Sequence, residues 1–105
     1  MYEELTPTQT AAKLVDGSIQ LLDVREGWEL DIVSLPQAVH IPLGQLADRL
    51  NELNPAAPVA ALCHGGVRSA QAAMLLNVNG FTSIYNVTGG IDRWSAEVDP
   101  SLPRY

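Results

Sequence analysis

Short runs of consecutive apolar residues alternate with longer amphipathic segments along this chain, and that alternation constrains its fold more than any other feature. Residues 19–24 centre on Leu21-Leu22, and Val59–Leu62 is apolar at every position. A strand buried on one face has every second residue apolar, whereas a continuous apolar run marks a strand covered on both faces. Strands of that kind, separated by helical segments, form βα units in a largely parallel sheet with right-handed crossovers. In such sheets the functional crevice lies beyond the carboxyl ends of the strands.

Local signals place the elements. Thr6 reads as an N-cap, Pro7 takes the first helical position, and Gln9 completes a capping box. Ala11, Ala12, Leu14 and Val15 form the apolar face of that helix, and Gly17 ends it. A strand is predicted over 19–24, a short helix over 26–33 and a short strand over 38–41. Leu43, Leu46, Leu50 and Leu53 recur at steps of three or four, which predicts the clearest helix of the chain. Asn54-Pro55 stops it. Val59–Leu62 is a second buried strand, followed by a helix over 69–77 that Gly80 caps. The last strand is predicted over 83–87, then a turn at Gly89-Gly90 and a helix over 91–97. The tail, 99–105, holds two prolines and is expected to lie along the surface or fray. Four or five strands result, in one domain spanning 1–105.

Composition excludes several classes. The chain has 105 residues, of which 47% are apolar, enough for a core in a domain of common size. The net charge is −6 and no basic run exists, so nucleic acid is not an expected partner. The longest apolar stretches, such as residues 59–63, fall far short of the roughly 20 residues that span a membrane, so no membrane is expected either. One cysteine, Cys63, excludes an internal disulfide and a cysteine-rich zinc site. The two histidines show no metal-ligand spacing, so neither metal nor cofactor is expected. A single free thiol fits a reducing compartment such as the cytosol, and Met1-Tyr2-Glu3-Glu4 has no apolar signal region.

Cys63 stands at the carboxyl end of a predicted buried strand and opens the segment Cys63-His64-Gly65-Gly66-Val67-Arg68. A strand, a glycine-bearing loop and a helix start make an anion cradle. The glycines allow backbone N–H groups to turn inward as a nest, the helix adds its positive end, and Arg68 adds a full charge. All three favour thiolate over thiol, and the thiolate is the nucleophile. A cysteine at the end of a core strand is ordinarily only a small buried hydrophobe. Such a residue has no need of Gly-Gly, an arginine and a helix start around it. The cradle suits two reactions: phosphoryl transfer from a phosphoester, and sulfane-sulfur transfer from a donor such as thiosulfate.

Four segments, in order, resemble the rhodanese family of sulfurtransferases. They are Leu21-Leu22-Asp23-Val24-Arg25-Glu26, Leu35-Pro36-Gln37-Ala38-Val39-His40-Ile41-Pro42, the loop from Cys63 to Arg68, and Val87-Thr88-Gly89-Gly90-Ile91-Asp92-Arg93-Trp94. The second departs from the family pattern at Ser34-Leu35 and Gln37, read as a change of shape rather than of chemistry. The resemblance implies a rhodanese-like three-layer α/β/α fold with a central, largely parallel four- or five-stranded sheet. It also implies a mechanism. Cys63 attacks the outer sulfur of a small donor, thiosulfate or a persulfide, and carries it as a persulfide. The sulfur then passes to cyanide, a thiol or a protein acceptor. The loop residues His64, Gly65, Gly66, Val67 and Arg68 would bind the donor and the persulfide, Arg68 through the donor's anionic end. Phosphatases built on this fold have one more residue in the loop than the four that separate Cys63 from Arg68 here, so phosphatase or arsenate-reductase chemistry is disfavoured. A persulfide carrier serving a partner enzyme uses the same chemistry with a different acceptor. A non-catalytic interaction or sensing module is disfavoured because inactive relatives typically lose the cysteine.

Other residues have plainer readings. His64 either tunes the thiolate or fills the loop, and His40 is a structural histidine. Asp23 and Arg25 flank Val24 and so share one side of an extended segment. The resemblance puts Asp23 near the loop, pairing Arg68 or holding backbone. Arg25 either binds the donor or serves in a structural ion pair with Glu26 or Glu29, and the structural reading is preferred. Ser69 is expected to be the N-cap of its helix, with a hydroxyl in reach of the persulfide. Trp94 is core. Trp28 either packs or walls the site. Gly89-Gly90 meets a need for unusual φ or for close approach to the loop.

Overall fold

The computed structural model describes residues 1–105 and contains one all-parallel sheet of five strands. These are β1 (Glu3–Leu5), β2 (Gln20–Asp23), β3 (Val39–His40), β4 (Val59–Leu62) and β5 (Ile84–Val87), in the spatial order β1-β5-β4-β2-β3. The helices are α1 (Pro7–Val15), α2 (Gly27–Ile32), α3 (Val67–Val78) and α4 (Gly90–Glu97). β4 is the central strand, and all four of its residues are buried.

Alternation along the strands sends side chains to two cores. Val59, Ala61 and Cys63 join Leu22 and Val24 on one face, packed with Ala72, Ala73 and Leu76 of α3. Ala60 and Leu62 join Leu21 and Val87 on the other, packed with Ile91 and Trp94 of α4 and Ala11 and Leu14 of α1. Each fully buried Leu, Val or Ile contributes roughly 1.5–3 kcal/mol. The continuous apolar strands of the sequence are therefore the middle layer of a three-layer α/β/α structure. The α1 capping box forms as the sequence predicts, with the Gln9 N–H donating to Thr6 Oγ1 at 3.1 Å and the Thr6 N–H donating to Gln9 Oε1 at 2.9 Å.

Three elements differ from expectation. The leucine stripe is not one α-helix but two 3₁₀ segments, Leu43–Asp48 and Leu50–Glu52. Leu43 to Leu46 and Leu50 to Leu53 are steps of three, the 3₁₀ period. The step of four spans Arg49, where φ is −125° and the helix breaks. Leu46 and Leu53 are nevertheless buried, so the stripe faces the core. The edge strand β1 was masked by Glu3-Glu4, since only Leu5 of the strand is buried. Helix α3 begins at Val67, two residues before the predicted start, because Gly66 takes the N-cap position with φ +109°. Ser69 is therefore inside the helix rather than its N-cap.

Candidate active site at Cys63

Cys63 is the first residue after β4 and continues its alternation, so the side chain points to the α3 face with a relative exposure of 1%. The chain then turns sharply through Gly65 and Gly66. Gly66 directs its N–H to Cys63 Sγ at 3.0 Å, the contact expected of an inward-facing nest. The Ser69 hydroxyl lies 3.3 Å from the same sulfur.

The carbonyls at the start of the loop face the opposite way. Cys63 O accepts from the Ile91 N–H at 2.8 Å, and His64 O accepts from the Asp92 N–H at 3.1 Å. The N-terminal amides of α4, which have no partner within their own helix, thus clamp the loop. The clamp requires Gly90. Its φ is +60°, and a Cβ there would run into both the His64 and Cys63 carbonyls. The close approach expected of Gly89-Gly90 is located at the second glycine.

A buried polar network flanks the loop. Arg68 forms a two-pronged ion pair with Glu29, Nη1 to Oε2 at 2.6 Å and Nη2 to Oε1 at 2.8 Å. The Glu29 carboxylate is buried, and the Arg68 side chain is 34% exposed. The Arg68 hydrogen bonds hold the Glu29 carboxyl down to about 2, against the opposing effect of burial and with help from the Tyr105 hydroxyl. The same pair raises Arg68 further above its ordinary value. Tyr105 donates its hydroxyl to Glu29 Oε1 at 2.6 Å and accepts from Arg25 Nη1 at 3.2 Å. Its ring stacks on His64, with centroids 4.1 Å apart and planes 12° apart. Trp28 meets Tyr105 edge-on, with centroids 6.2 Å apart.

A second network lies on the β5 side. The Ser69 hydroxyl donates to Asn86 Oδ1 at 2.5 Å. Asn86 Nδ2 donates to Gly66 O at 3.2 Å and to Glu4 Oε2 at 3.2 Å.

The rhodanese-like domain model matches residues 6–97. The chain belongs to the rhodanese-like domain family. Among its relatives, rhodanese-like/PpiC domain-containing protein 12 of Arabidopsis thaliana is 47% identical over 90 residues, which cover 82% of this chain and 30% of that protein. The putative sulfur carrier protein YrkF of Bacillus subtilis (strain 168) is 39% identical over 84 residues, 80% of this chain and 45% of that one. The thiosulfate sulfurtransferase GlpE of Pseudomonas syringae pv. syringae (strain B728a) is 30% identical over 93 residues, covering 89% and 87%. This chain thus spans less than half the length of the first two. A solved rhodanese-like domain protein from Staphylococcus aureus superposes with a TM-score of 0.83 at 32% identity, over 98% of each chain.

Within this rhodanese-like domain the sequence-predicted residues separate into groups. Cys63, Gly66 and Ser69 come together at the sulfur. Gly65 and Val67 are exposed, Val67 at 73%. Asp23 does not pair with Arg68. It takes Arg25 in a buried ion pair, Nη2 to Oδ2 at 2.7 Å and Nε to Oδ1 at 3.0 Å. Arg25 is fully buried, and its carboxylate partner is Asp23 rather than Glu26 or Glu29. From Glu29 it receives only the backbone carbonyl, at 3.5 Å, and it also donates to Val33 O at 2.9 Å. The side chains at 23 and 25 share a face and meet directly, while Arg68 is engaged by Glu29 before Asp23 could reach it. His40 contributes a ring nitrogen 2.7 Å from Arg25 O. Trp28 is 62% exposed and belongs to the rim rather than the core.

Glu29, Asn86 and Tyr105 were missed by sequence reasoning. Asn86 had a signal, an amide inside an apolar strand. Glu29 was one of several acids near Arg25, and nothing local marks which of them is buried. Tyr105 belongs to the tail expected to fray, and only the folded chain brings it to the loop.

Proposed function

We propose that this protein is a sulfurtransferase that moves sulfane sulfur from a donor such as thiosulfate to a thiophilic acceptor through a persulfide on Cys63. The observation that carries this reading is the sulfur at the carboxyl end of the central strand, receiving the Gly66 N–H at 3.0 Å inside a clamped loop. The Cys63 thiolate attacks the outer sulfur of thiosulfate. A new S–S bond forms, the S–S bond of the donor breaks, and sulfite departs with the electron pair. Cyanide or a thiolate then attacks the outer sulfur of the persulfide and releases the Cys63 thiolate, a double displacement. The Gly66 N–H donated to the sulfur stabilises its negative charge. Arg68, whose side chain stays 34% exposed while Glu29 holds both Nη atoms, binds the anionic donor through its charge. His64, next to Cys63 in the loop, is held under the Tyr105 ring. This chemistry needs a reduced thiol, hence a reducing compartment such as the cytosol.

With one cysteine in these 105 residues, the persulfide has no second thiol within this domain to resolve it, and its sulfur leaves to an acceptor outside the domain. That requirement is shared by a second reading, a carrier that passes sulfur to a partner protein. The relative named as a putative sulfur carrier favours it. The four-residue spacing from Cys63 to Arg68 supports sulfur over phosphate as cargo. Thiocyanate formation from thiosulfate and cyanide tests the enzyme reading. Rapid turnover, lost in Cys63→Ala, is expected. A persulfide that forms without turnover turns the assignment to the carrier, and phosphate-ester hydrolysis overturns both.

A further inference from the structure

Asn86 and Glu4 take no part in the sulfur chemistry above, yet they fix the position of a hydrogen beside the sulfur. The Asn86 side chain is buried in β5. Its Nδ2 faces Gly66 O at 3.2 Å and the Glu4 carboxylate at 3.2 and 3.3 Å. Glu4 is itself anchored by the Thr88 hydroxyl at 2.6 Å. A carbonyl and a carboxylate can only accept, so the NH₂ end of the amide belongs on that side and Oδ1 is turned to Ser69. Oδ1 has no hydrogen to give. The single hydroxyl hydrogen of Ser69 therefore lies on the 2.5 Å line to Asn86. What Ser69 presents to Cys63 Sγ at 3.3 Å is a lone pair.

We infer that Asn86, anchored by Glu4, is a positioning residue that turns the Ser69 hydroxyl away from Cys63, so that Ser69 accepts the thiol hydrogen at rest instead of donating to the thiolate. When the thiol loses its proton to water, the sulfur keeps the Gly66 N–H. Ser69 can donate to it only by rotating and giving up Asn86. The Ser69 contact thus favours the thiol and opposes the Gly66 N–H at the same sulfur, and rotation of one hydroxyl reverses its sign. The functional meaning rests on the reading of Cys63 as the nucleophile, but the hydrogen-bond direction does not.

The test is a pH titration of the ultraviolet thiolate absorbance of the full chain, with iodoacetamide alkylation rates alongside and no sulfur donor present. The charged and titratable groups on the elements packed about the loop are the Arg68–Glu29 pair from α3 and α2, His64 from the loop, Glu4 from β1, Asp23 at the end of β2 and Arg25 just after it. His40 from β3 and Tyr105 from the tail complete the set. Ser69→Ala and Asn86→Leu keep all of these. Ser69→Ala removes an acceptor of the thiol hydrogen, so the thiolate-to-thiol ratio at a fixed pH rises. Asn86→Leu frees the hydroxyl to donate to the thiolate, and the ratio rises by about tenfold, as expected for one hydrogen bond to a charged group. Asn86→Leu also removes the Nδ2 contacts to Gly66 O and Glu4. The part of its rise that runs through Ser69 is therefore the part lost in the double variant, and a rise that persists there in full overturns the inference. A ratio lowered or unchanged in Ser69→Ala overturns the inference. So does an unchanged ratio in a folded Asn86→Leu. If Asn86→Leu does not fold, the sign in Ser69→Ala decides. Failure of sulfur loading would leave these outcomes untouched, so the two readings fail separately.

Discussion

Glu29→Gln separates the electrostatic role of the carboxylate from its shape. In the native domain the Arg68 hydrogen bonds hold this carboxyl from an ordinary 4.5 down to about 2. At about 1.36 kcal/mol per tenfold in proton affinity, that difference corresponds to roughly 3 kcal/mol. The Arg68 end is 34% exposed and screened by solvent, which brings the expected value nearer 2 kcal/mol. The folded group binds its proton more weakly than the unfolded one. Its contribution is therefore complete above about pH 5 and is lost as pH falls from about 4.5 towards 2. Denaturant unfolding at pH 7 and pH 3, with unchanged m, measures it. Wild type should lose about 1–2 kcal/mol more than Glu29→Gln between those two pH values. Parallel losses in the two proteins would refute the assignment of that stability to the Glu29–Arg68 pair.

Three further outcomes follow from the same geometry. Gly90→Ala places a methyl against the Cys63 and His64 carbonyls at φ +60° and should cost about 2–4 kcal/mol; an unchanged denaturation midpoint would contradict the clamp. Arg68→Ala leaves the Glu29 carboxylate buried without its partner and should destabilise by about 2 kcal/mol at pH 7. That loss should largely vanish in a Glu29→Gln background, as a double-mutant cycle would read. Tyr105→Ala removes the stack on His64 and the donor to Glu29. It should lower stability by about 1 kcal/mol and speed alkylation of Cys63 by a bulky maleimide several-fold more than by iodoacetamide.

Local chemistry made much of the fold legible. The strand Val59–Leu62 coincides with its prediction because a run buried on both faces admits little else. The Thr6-Pro7-Gln9 start was readable because a capping box is satisfied within four residues. The leucine stripe was read as one helix and is two 3₁₀ segments, since spacings of three and four serve both helix types until the break at Arg49. At the site, Cys63, Gly66 and Ser69 were legible because seven consecutive residues, 63–69, carry them. The Asp23–Arg25 pair was half legible: strand alternation put both side chains on one side, but the choice of partner depended on where α2 delivers Glu29. Tyr105 reaches His64 from 41 positions away along the chain, and Glu4 reaches Asn86 from 82. Such long-range partners leave no local signature.

The central claim, a nucleophilic Cys63 that carries sulfur, is met most directly by intact-protein mass measurement after exposure to thiosulfate. The account predicts a gain of one sulfur atom on the wild-type chain, removed by cyanide and absent in Cys63→Ala. A wild-type chain that gains no sulfur, or a Cys63→Ala chain that gains the same amount, would contradict it.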